Sequence, residues 1–402
     1  MIKIKRFILN LLKLWNRVVR AILLRSPGKI KLVRFGSKKS HTFFGYYDVT
    51  PFSSDDQMIL VGKVPVNIKK NGKSKMELGF YLLKNPEIFH KFAETETWCW
   101  QQGARLRWLP GSNTHVFYNC LIEDRYCSIV QEIESGSITK KYDYPFYDIS
   151  PNGKWGLSLN FSRLQRLRPG YGYDNLPDPT IEDNVPEEDG IFLVDLSTNS
   201  IVLNIPLKQM LDFPHKQMRS ESQHYFNHLS FSPGSTKFLF FHLWQNSNRR
   251  YSRLFIYNLK NSQLELVEND LGVSHFTWKN DQEILCTATL PDGKIGYFEY
   301  NLIANSKRQI GQNILISDGH PTYLKVGDSI ISDTYPDKYQ DRTIFQFDKI
   351  EKKKELLTVF SPFQYQGEFR CDLHPRLSNK LDKIAFDSAH NGVRSLYVMD
   401  LK

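Results

Sequence analysis

A weak pattern recurs along the chain from residue 29 onward, and it limits the fold more than any other feature. Its first half is a turn, often with proline, that leads into a short apolar strand. The turns are Thr50-Pro51, Leu109-Pro110, Ser150-Pro151, Ser232-Pro233, Lys279-Asn280, Val326-Gly327 and Pro375 to Asn379. They lead into expected strands at 58–61, 115–118, 155–159, 237–241, 283–286, 329–332 and 383–386. The second half is a strand that often ends in Asp-Leu or Asn-Leu. It falls at 79–83, 127–133, 191–196, 254–259, 296–302, 343–347 and 395–401. Copies lie roughly 40 to 60 residues apart, the period of a propeller blade. One gap, from Pro151 to Pro233, is longer and leaves 161–189 as an insertion.

A small sheet cannot bury both faces alone, so such units stack in a ring. The last copy stops without an outer strand, whereas 30–35 reads as a strand with no unit of its own. Pairing the two would remove two exposed edges. The expected fold is therefore all-β, a seven-bladed β-propeller over 29–402 with an N-terminal amphipathic helix; two sandwich domains are the competing reading. The 27 Phe, 20 Tyr and 7 Trp, with 19 Pro and 23 Gly, favour strands and turns over helix bundles.

The formal net charge of +10 is a tail and not a face. Residues 1–40 hold 12 Lys/Arg and no acid, and the remainder carries 41 bases against 43 acids. A body without excess positive charge argues against a nucleic-acid partner. Within the tail, Ile4, Ile8, Leu11, Trp15, Val18 and Ile22 share one face of a helix over 2–24, opposite Arg6, Lys13, Arg17 and Arg20. Charges interrupt each apolar run, which excludes a membrane span and spoils a signal-peptide core. The pattern suits a helix lying on an anionic membrane surface, so the expectation is a peripheral monomer at the cytoplasmic face. Packing against its own domain and an atypical export signal are the alternatives. Five scattered cysteines with no Cys-x-x-Cys argue against a disulfide framework or a cysteine zinc cage.

The chemistry is positional. Ahead of nearly every repeat sits a dense polar and aromatic set. These sets are His41 with Tyr46, Tyr47 and Asp48; Gln101, Gln102 and Arg105; Tyr144, Tyr147 and Asp148; and His224 and His228. The later repeats add His275; Asp318 and His320; and Arg370, Asp372 and His374. A real repeat places all of them at one end of the ring, near its axis. A concave end rich in His, Tyr, Arg and Gln suits an anionic or polyhydroxylated ligand. Tyr46, Tyr47, Gln101, Gln102, Arg105, His228 and Arg370, with Tyr171 from the insertion, are the expected substrate contacts. His228, His275, His320 and His374 come from four consecutive repeats. Together they could hold a divalent metal such as Mn, Zn or Fe, with His275, His320 and His374 as its candidate ligands.

The sequence lacks a serine-nucleophile elbow and a phosphate loop. The inventory fits β-elimination on a uronate: the carboxylate is neutralised by Arg, Gln, His or a metal, a Tyr or His removes the C5 proton, and a Tyr or His protonates the leaving oxygen.

The segments His41 to Asp48 with Pro51, Trp100 to Gly103 leading to Trp108-Leu109-Pro110, and Tyr147 to Pro151 leading to Asn160 to Leu164 carry a family likeness. Through them the chain resembles the seven-bladed propeller polysaccharide lyases, the ulvan-lyase group above all. More distantly it resembles the propeller oligogalacturonate lyases and the rhamnosyl-glucuronate propeller enzymes. The resemblance implies a Tyr and Arg on adjoining strands of one blade that act together, here Tyr147 on the proton and Arg163 on the uronate, with His41 assisting. The expected function is a polysaccharide lyase that cleaves a uronate-containing polysaccharide by β-elimination at the axial face of the propeller, with an anionic polysaccharide or lipid-linked glycan as the expected partner. Two alternatives remain open: a cell-surface polysaccharide assembly enzyme such as a glycosyltransferase, and a non-catalytic glycan-binding scaffold.

Overall fold

The computed structural model describes residues 30–401 apart from 70, 247, 248, 325–328 and 349. The helix expected over 2–24 and the turn at Val326-Gly327 lie outside the described residues. Among the described residues no helix is long and apolar enough to cross a membrane.

Among the described residues, strands form one eight-stranded and five four-stranded sheets. The four-stranded sheets are antiparallel and built from consecutive strands, spanning 107–142, 148–206, 223–268, 272–310 and 322–360. In the eight-stranded sheet, Arg376–Leu377, Lys383–Ser388 and Ser395–Asp400 meet Ser40–Phe43, Met58–Pro65, Met76–Leu82 and Asn85–Thr95. The two halves join through one parallel residue pair, Thr42 with Ser395. The early strand Leu32–Phe35 pairs antiparallel with Ser395–Asp400, Leu32 opposite Met399 and Phe35 opposite Leu396. The strand expected over 30–35 is found as Leu32–Phe35, paired with Ser395–Asp400.

The two halves of the sequence repeat are the second and third strands of these sheets. Lys237–Asn246 shows why they are legible: its run from Phe238 to Trp244 is buried, as a strand covered on both faces must be. Outer strands such as Ile138–Tyr142 are largely exposed. Innermost strands are often only two residues long, as in Arg107–Trp108, Asp148–Ile149, Thr322–Tyr323 and Arg376–Leu377.

The repeated turn has one physical cause in four sheets. The hydroxyls of Ser53, Ser150, Ser232 and Ser378 accept from the backbone N–H five residues on, at Met58 (2.9 Å), Trp155 (2.8 Å), Lys237 (3.2 Å) and Lys383 (3.0 Å). Each serine carbonyl also accepts from the N–H three residues on. That third residue has a left-handed backbone each time: Asp56, Gly153, Ser235 and Leu381. A side chain that mimics a backbone acceptor closes a tight turn without glycine at every copy.

A buried charge cluster holds the two halves of the eight-stranded sheet together. Asp387 accepts from Arg376 at 3.0 Å and from the backbone N–H of Phe44 at 3.3 Å, with Arg394 3.7 Å away. Arg376 also donates to the carbonyls of Tyr46, at 2.9 Å, and Gly45. All three charged side chains are buried. Asp387→Ala strands two buried guanidiniums, so unfolding free energy is expected to drop by about 3–5 kcal/mol. Urea denaturation measures this, and an unchanged midpoint would refute it.

The 161–189 insertion leaves the 148–206 sheet between its second and third strands, and not between two repeats. It opens with the helix Phe161–Leu167, capped by the Asn160 side chain accepting from Arg163 N–H at 2.9 Å. It then crosses towards the 367–370 turn. The Gln101 N–H donates to the Gly170 carbonyl at 3.1 Å, and a side chain at Gly170, whose φ is +92°, would press on Glu368.

Candidate active site

The innermost strands bring four histidines together. His228, His275, His320 and His374 come from four sheets, and all are buried. Neighbouring ring centroids are 6.0 Å (His228–His275), 4.1 Å (His275–His320) and 4.3 Å (His320–His374) apart. Tyr46 closes the arc, 4.8 Å from His374 and stacked on His228 at 5.4 Å. Tyr47 lies beneath, 5.0 Å from His320 and 5.8 Å from His275.

The backbone is bent to aim these side chains inward. Arg105, His228 and His374 have φ of +53°, +57° and +47°. Each stands two residues before a paired residue of its innermost strand: Arg107, Ser230 and Arg376. A left-handed conformation costs a side-chain-bearing residue of order 1–2 kcal/mol and persists only where packing enforces it. Gly45 faces the arc with φ +134°, and a Cβ there would sit 2.9 Å from the Gln102 backbone. Only glycine fits so close an approach.

Three imidazoles are oriented from behind. His275 Nδ1 faces Asp318 Oδ1 at 3.0 Å, and His320 Nδ1 faces Asp333 at 2.9 Å. His374 Nδ1 donates to the Gly45 carbonyl at 2.9 Å. These acceptors place the proton on Nδ1 and leave the Nε2 lone pair free. The Nε2 atoms of all four histidines are buried and have no hydrogen-bond partner. Burial is the largest cause that lowers the pKa of His228, His275 and His374, so these rings are neutral at pH 7. Asp372 joins them, with its oxygens and the nitrogens of His320 and His374 within 4.8 Å of one another. Burial works against its charge, yet Arg370 and Arg342 hold its carboxyl well below the ordinary range. Neutral imidazoles with fixed Nδ1–H groups, beside an ionised carboxylate, fit a first-row divalent cation.

A second layer lies above the arc. Arg370 donates to Asp372 at 2.6 Å and to the Tyr171 hydroxyl at 3.0 Å. Arg168 stacks over the Tyr171 ring at 4.1 Å and Arg370 over the Tyr335 ring at 5.4 Å. Arg168, Tyr335 and Arg370 are half-buried, whereas Tyr171 is buried. Burial would raise the Tyr171 pKa, but Arg168 and Arg370 outweigh it and bring the phenol below its usual value. Tyr46 and Tyr335 are pushed well above theirs, chiefly by burial.

Beneath the arc, the Tyr147 hydroxyl donates to Asn227 Oδ1 at 3.0 Å and accepts from Gln102 at 2.8 Å and from His228 N–H at 3.2 Å. Burial raises its pKa far above the usual value, so the phenol keeps its proton. Arg105 caps the Tyr147 ring at 4.3 Å and grips both Asp48 oxygens, at 3.2 and 2.9 Å. Gln101 donates to the carbonyls of Glu368 and Arg370, at 2.9 and 2.8 Å.

Tyr46, Tyr47, Tyr171, His228, His275, His320, His374 and Arg370 thus converge, with Gln102, Arg105 and Tyr147 directly below. Arg163 and His41 stand apart from them. Arg163 sits on a helix and not on a strand adjoining Tyr147. Its guanidinium donates to the carbonyls of His224 (2.7 Å), Thr180 (3.0 Å), Asp183 (3.0 Å) and Asn184 (2.8 Å), where it braces the insertion. His41 lies among Trp100, Tyr365 and Phe369. The sequence reading gives no role to Arg168, Asp318, Asp333, Tyr335 or Asp372. The visible signal for Asp333 is an acid ending the apolar run Ile330–Asp333.

Two histidines give a pH prediction for stability. Burial first, then nearby arginines, lowers both His41 and His224 from 6.5 to about 4. The folded state then binds fewer protons than the unfolded one between those values. Their contribution is complete above pH 6.5 and is lost as pH falls towards 4, at about 2 kcal/mol each by pH 5. The urea midpoint should fall between pH 7.5 and 5; an equal midpoint would contradict the assignment.

No family model and no curated protein matches the sequence. Among solved structures, the oligogalacturonate lyase of Vibrio parahaemolyticus superposes with a TM-score of 0.65 at 12% identity, over 94% of this chain and 95% of that one. An oligogalacturonate lyase in complex with manganese gives 0.67 at 12% identity, over 94% of each chain. The β-propeller domain of the Trilobed protease from Pyrococcus furiosus gives 0.52 at 8% identity, over 90% and 96%. The structural likeness is thus to oligogalacturonate lyases and other propellers, and not to ulvan lyases in particular. The sheets and these superpositions together make the chain an all-β propeller.

Proposed function

We propose that the protein is a seven-bladed propeller enzyme that cleaves a uronate-containing glycan by β-elimination at the axial histidine arc. Seven blades result when the eight-stranded sheet is divided at its single parallel residue pair. The observation that carries the proposal is the set of four buried Nε2 atoms without partners, three of them on rings fixed through Nδ1. His320, His374 and Asp372 would hold a divalent cation, with His275, whose ring lies 4.1 Å from that of His320, as a further ligand, and manganese is the ion of the lyase complex of the same fold. When bound, the cation supplies a Lewis acid towards the uronate carboxylate.

The chain's own residues do the rest. Arg168 and Arg370 at the half-buried mouth attract the carboxylate. Tyr171 loses its own proton to solvent, and as the phenolate held by these arginines it takes the C5 proton. The C4–C5 double bond forms as the C4–O4 bond breaks, and Tyr335, which keeps its proton, protonates O4. Tyr147, Arg163 and His41 frame the site in this scheme: Tyr147 locks Gln102 to Asn227, Arg163 braces the insertion and His41 packs beside the 367–369 turn.

Elimination creates an unsaturated uronate that absorbs in the ultraviolet, whereas hydrolysis and binding do not. Polygalacturonate and other uronate polysaccharides are incubated with the full chain, with manganese or with chelator. A rise in absorbance that chelator suppresses supports the proposal. A flat trace across the panel with manganese present rejects turnover and leaves a binding propeller.

A further inference from the structure

We propose that the ring sits on an anionic bilayer, with its serine-turn end towards the lipid and the histidine arc facing away. The function proposed above leaves the basic segment before residue 30 without a role, and this inference does not rest on the chemistry of the arc. Residues 1–40 carry 12 Lys/Arg and no acid, whereas the rest of the chain has 41 bases against 43 acids. Attraction to an anionic surface therefore belongs to that segment. Its sequence sets Ile4, Ile8, Leu11, Trp15, Val18 and Ile22 at helical spacing between basic residues, the pattern of a segment that lies in a headgroup layer.

The ladder registers fix where that segment joins the ring. Leu32 stands opposite Met399, and Met399 opposite Ile384, near the start of the strand that follows the Ser378 turn. Lys31 then lines a groove with Lys383 and Asp400, the first and last residues of their strands. The chain before residue 30 thus meets the ring at the serine-turn end. Neighbouring sheets are joined at that end through their turns. The Asn379 amide donates to Asp56, the Ser54 hydroxyl to Asn113, the Asn152 N–H to Ser235 and the Gly234 N–H to Asp281. The arc lies at the other end: His374 precedes Arg376–Leu377, which runs from it to the Ser378 turn. Residues 25–30 reach at most about 20 Å, so the ring stays close to whatever surface holds the segment.

The same end carries two bare apolar tips. Asn301 pairs with Glu283 and Phe347 with Ile330, each the first residue of the second strand of its sheet. The turns after Asn301 and Phe347 therefore point the same way as the serine turns. They present Ile303 and Ile350, 72% and 63% exposed, to the surface below. Half-buried Arg168 and Arg370 open to water at the far end. The seven residues of Ile295–Asn301 set the two ends about 23 Å apart. A ligand of the arc then comes from the aqueous side, as a free polymer or the far end of a long glycan, and not as the sugar next to a lipid anchor.

The test uses the full chain and sedimented vesicles of phosphatidylcholine, with and without about 30% phosphatidylglycerol. Anionic vesicles should carry the protein down and neutral ones should not. Arg17→Glu with Arg20→Glu should weaken binding at least about 30-fold, since each base near the surface contributes about fivefold. For the orientation, Ile350→Cys and Gln366→Cys are labelled singly with a polarity-sensitive dye. Both positions are exposed, Gln366 beside the 367–370 turn of the mouth, and the native cysteines are buried. The dye at 350 should brighten on anionic vesicles and the dye at 366 should not. No sedimentation with anionic vesicles, equal sedimentation with neutral ones, or full binding by the double variant overturns the membrane partner. A response at 366, or none at 350 while the protein is bound, overturns the orientation.

Discussion

Manganese affinity should fall more than about 100-fold when His320 and His374 are both replaced by alanine. Loss of an outer partner alone typically costs 10–100-fold, and this double variant removes two donors. The variant also gives up the Nδ1 contacts to Asp333 and to the Gly45 carbonyl, so circular dichroism checks its fold before the titration. Calorimetric titration reads the affinity directly. Thermal unfolding reads it again, since a ligand at 100 times its dissociation constant stabilises by about 2.7 kcal/mol, and the variant should lose that gain. Asp333→Asn is the finer probe: it keeps both imidazoles but weakens the group facing His320 Nδ1, so a loss of about 10–100-fold is expected. Wild-type affinity in the double variant would remove the arc from consideration as a metal centre.

Tyr171→Phe should lower kcat for elimination by about 10²–10⁴ while leaving KM nearly unchanged, because it deletes the proton acceptor and keeps the ring. The pH profile separates this role from a structural one. Activity requires the phenolate, so the rate should rise with pH through a Tyr171 pKa that Arg168 and Arg370 hold below its usual value. Arg168→Met removes the leading cause of that depression, and the rising limb should move to higher pH. Turnover that survives Tyr171→Phe, or a limb that stays in place in Arg168→Met, would transfer the proton to another group.

The parts of this molecule legible in its sequence are those that burial writes plainly. Second and third strands such as Lys237–Asn246 carry long apolar runs, and four of the turns before them carry a serine whose hydroxyl closes the turn. Innermost strands of two residues, such as Arg107–Trp108, are too short to show a period. The repeat places His228, His275, His320 and His374 at one end because each precedes the second strand of its sheet. What holds them is not local. Asp333 comes from a neighbouring strand, Gly45 contributes only a backbone carbonyl, and Arg168 arrives on an insertion. Arg163 illustrates the converse. The family resemblance implies a strand adjoining that of Tyr147, but Asn160 caps a helix there, and the guanidinium turns to carbonyls of the insertion.

The pairing of Leu32–Phe35 with Ser395–Asp400 has a kinetic consequence. Arg34 and Ser395, which share a 3.0 Å hydrogen bond, lie 361 residues apart in sequence. During synthesis, the first strand must wait unpaired until nearly the whole propeller has left the ribosome. Contacts of such separation slow folding. If the seam forms after the transition state, its contacts slow unfolding and not folding. The same strand that arrives early and docks last would then set how long the finished ring survives, through a rate and not through an equilibrium.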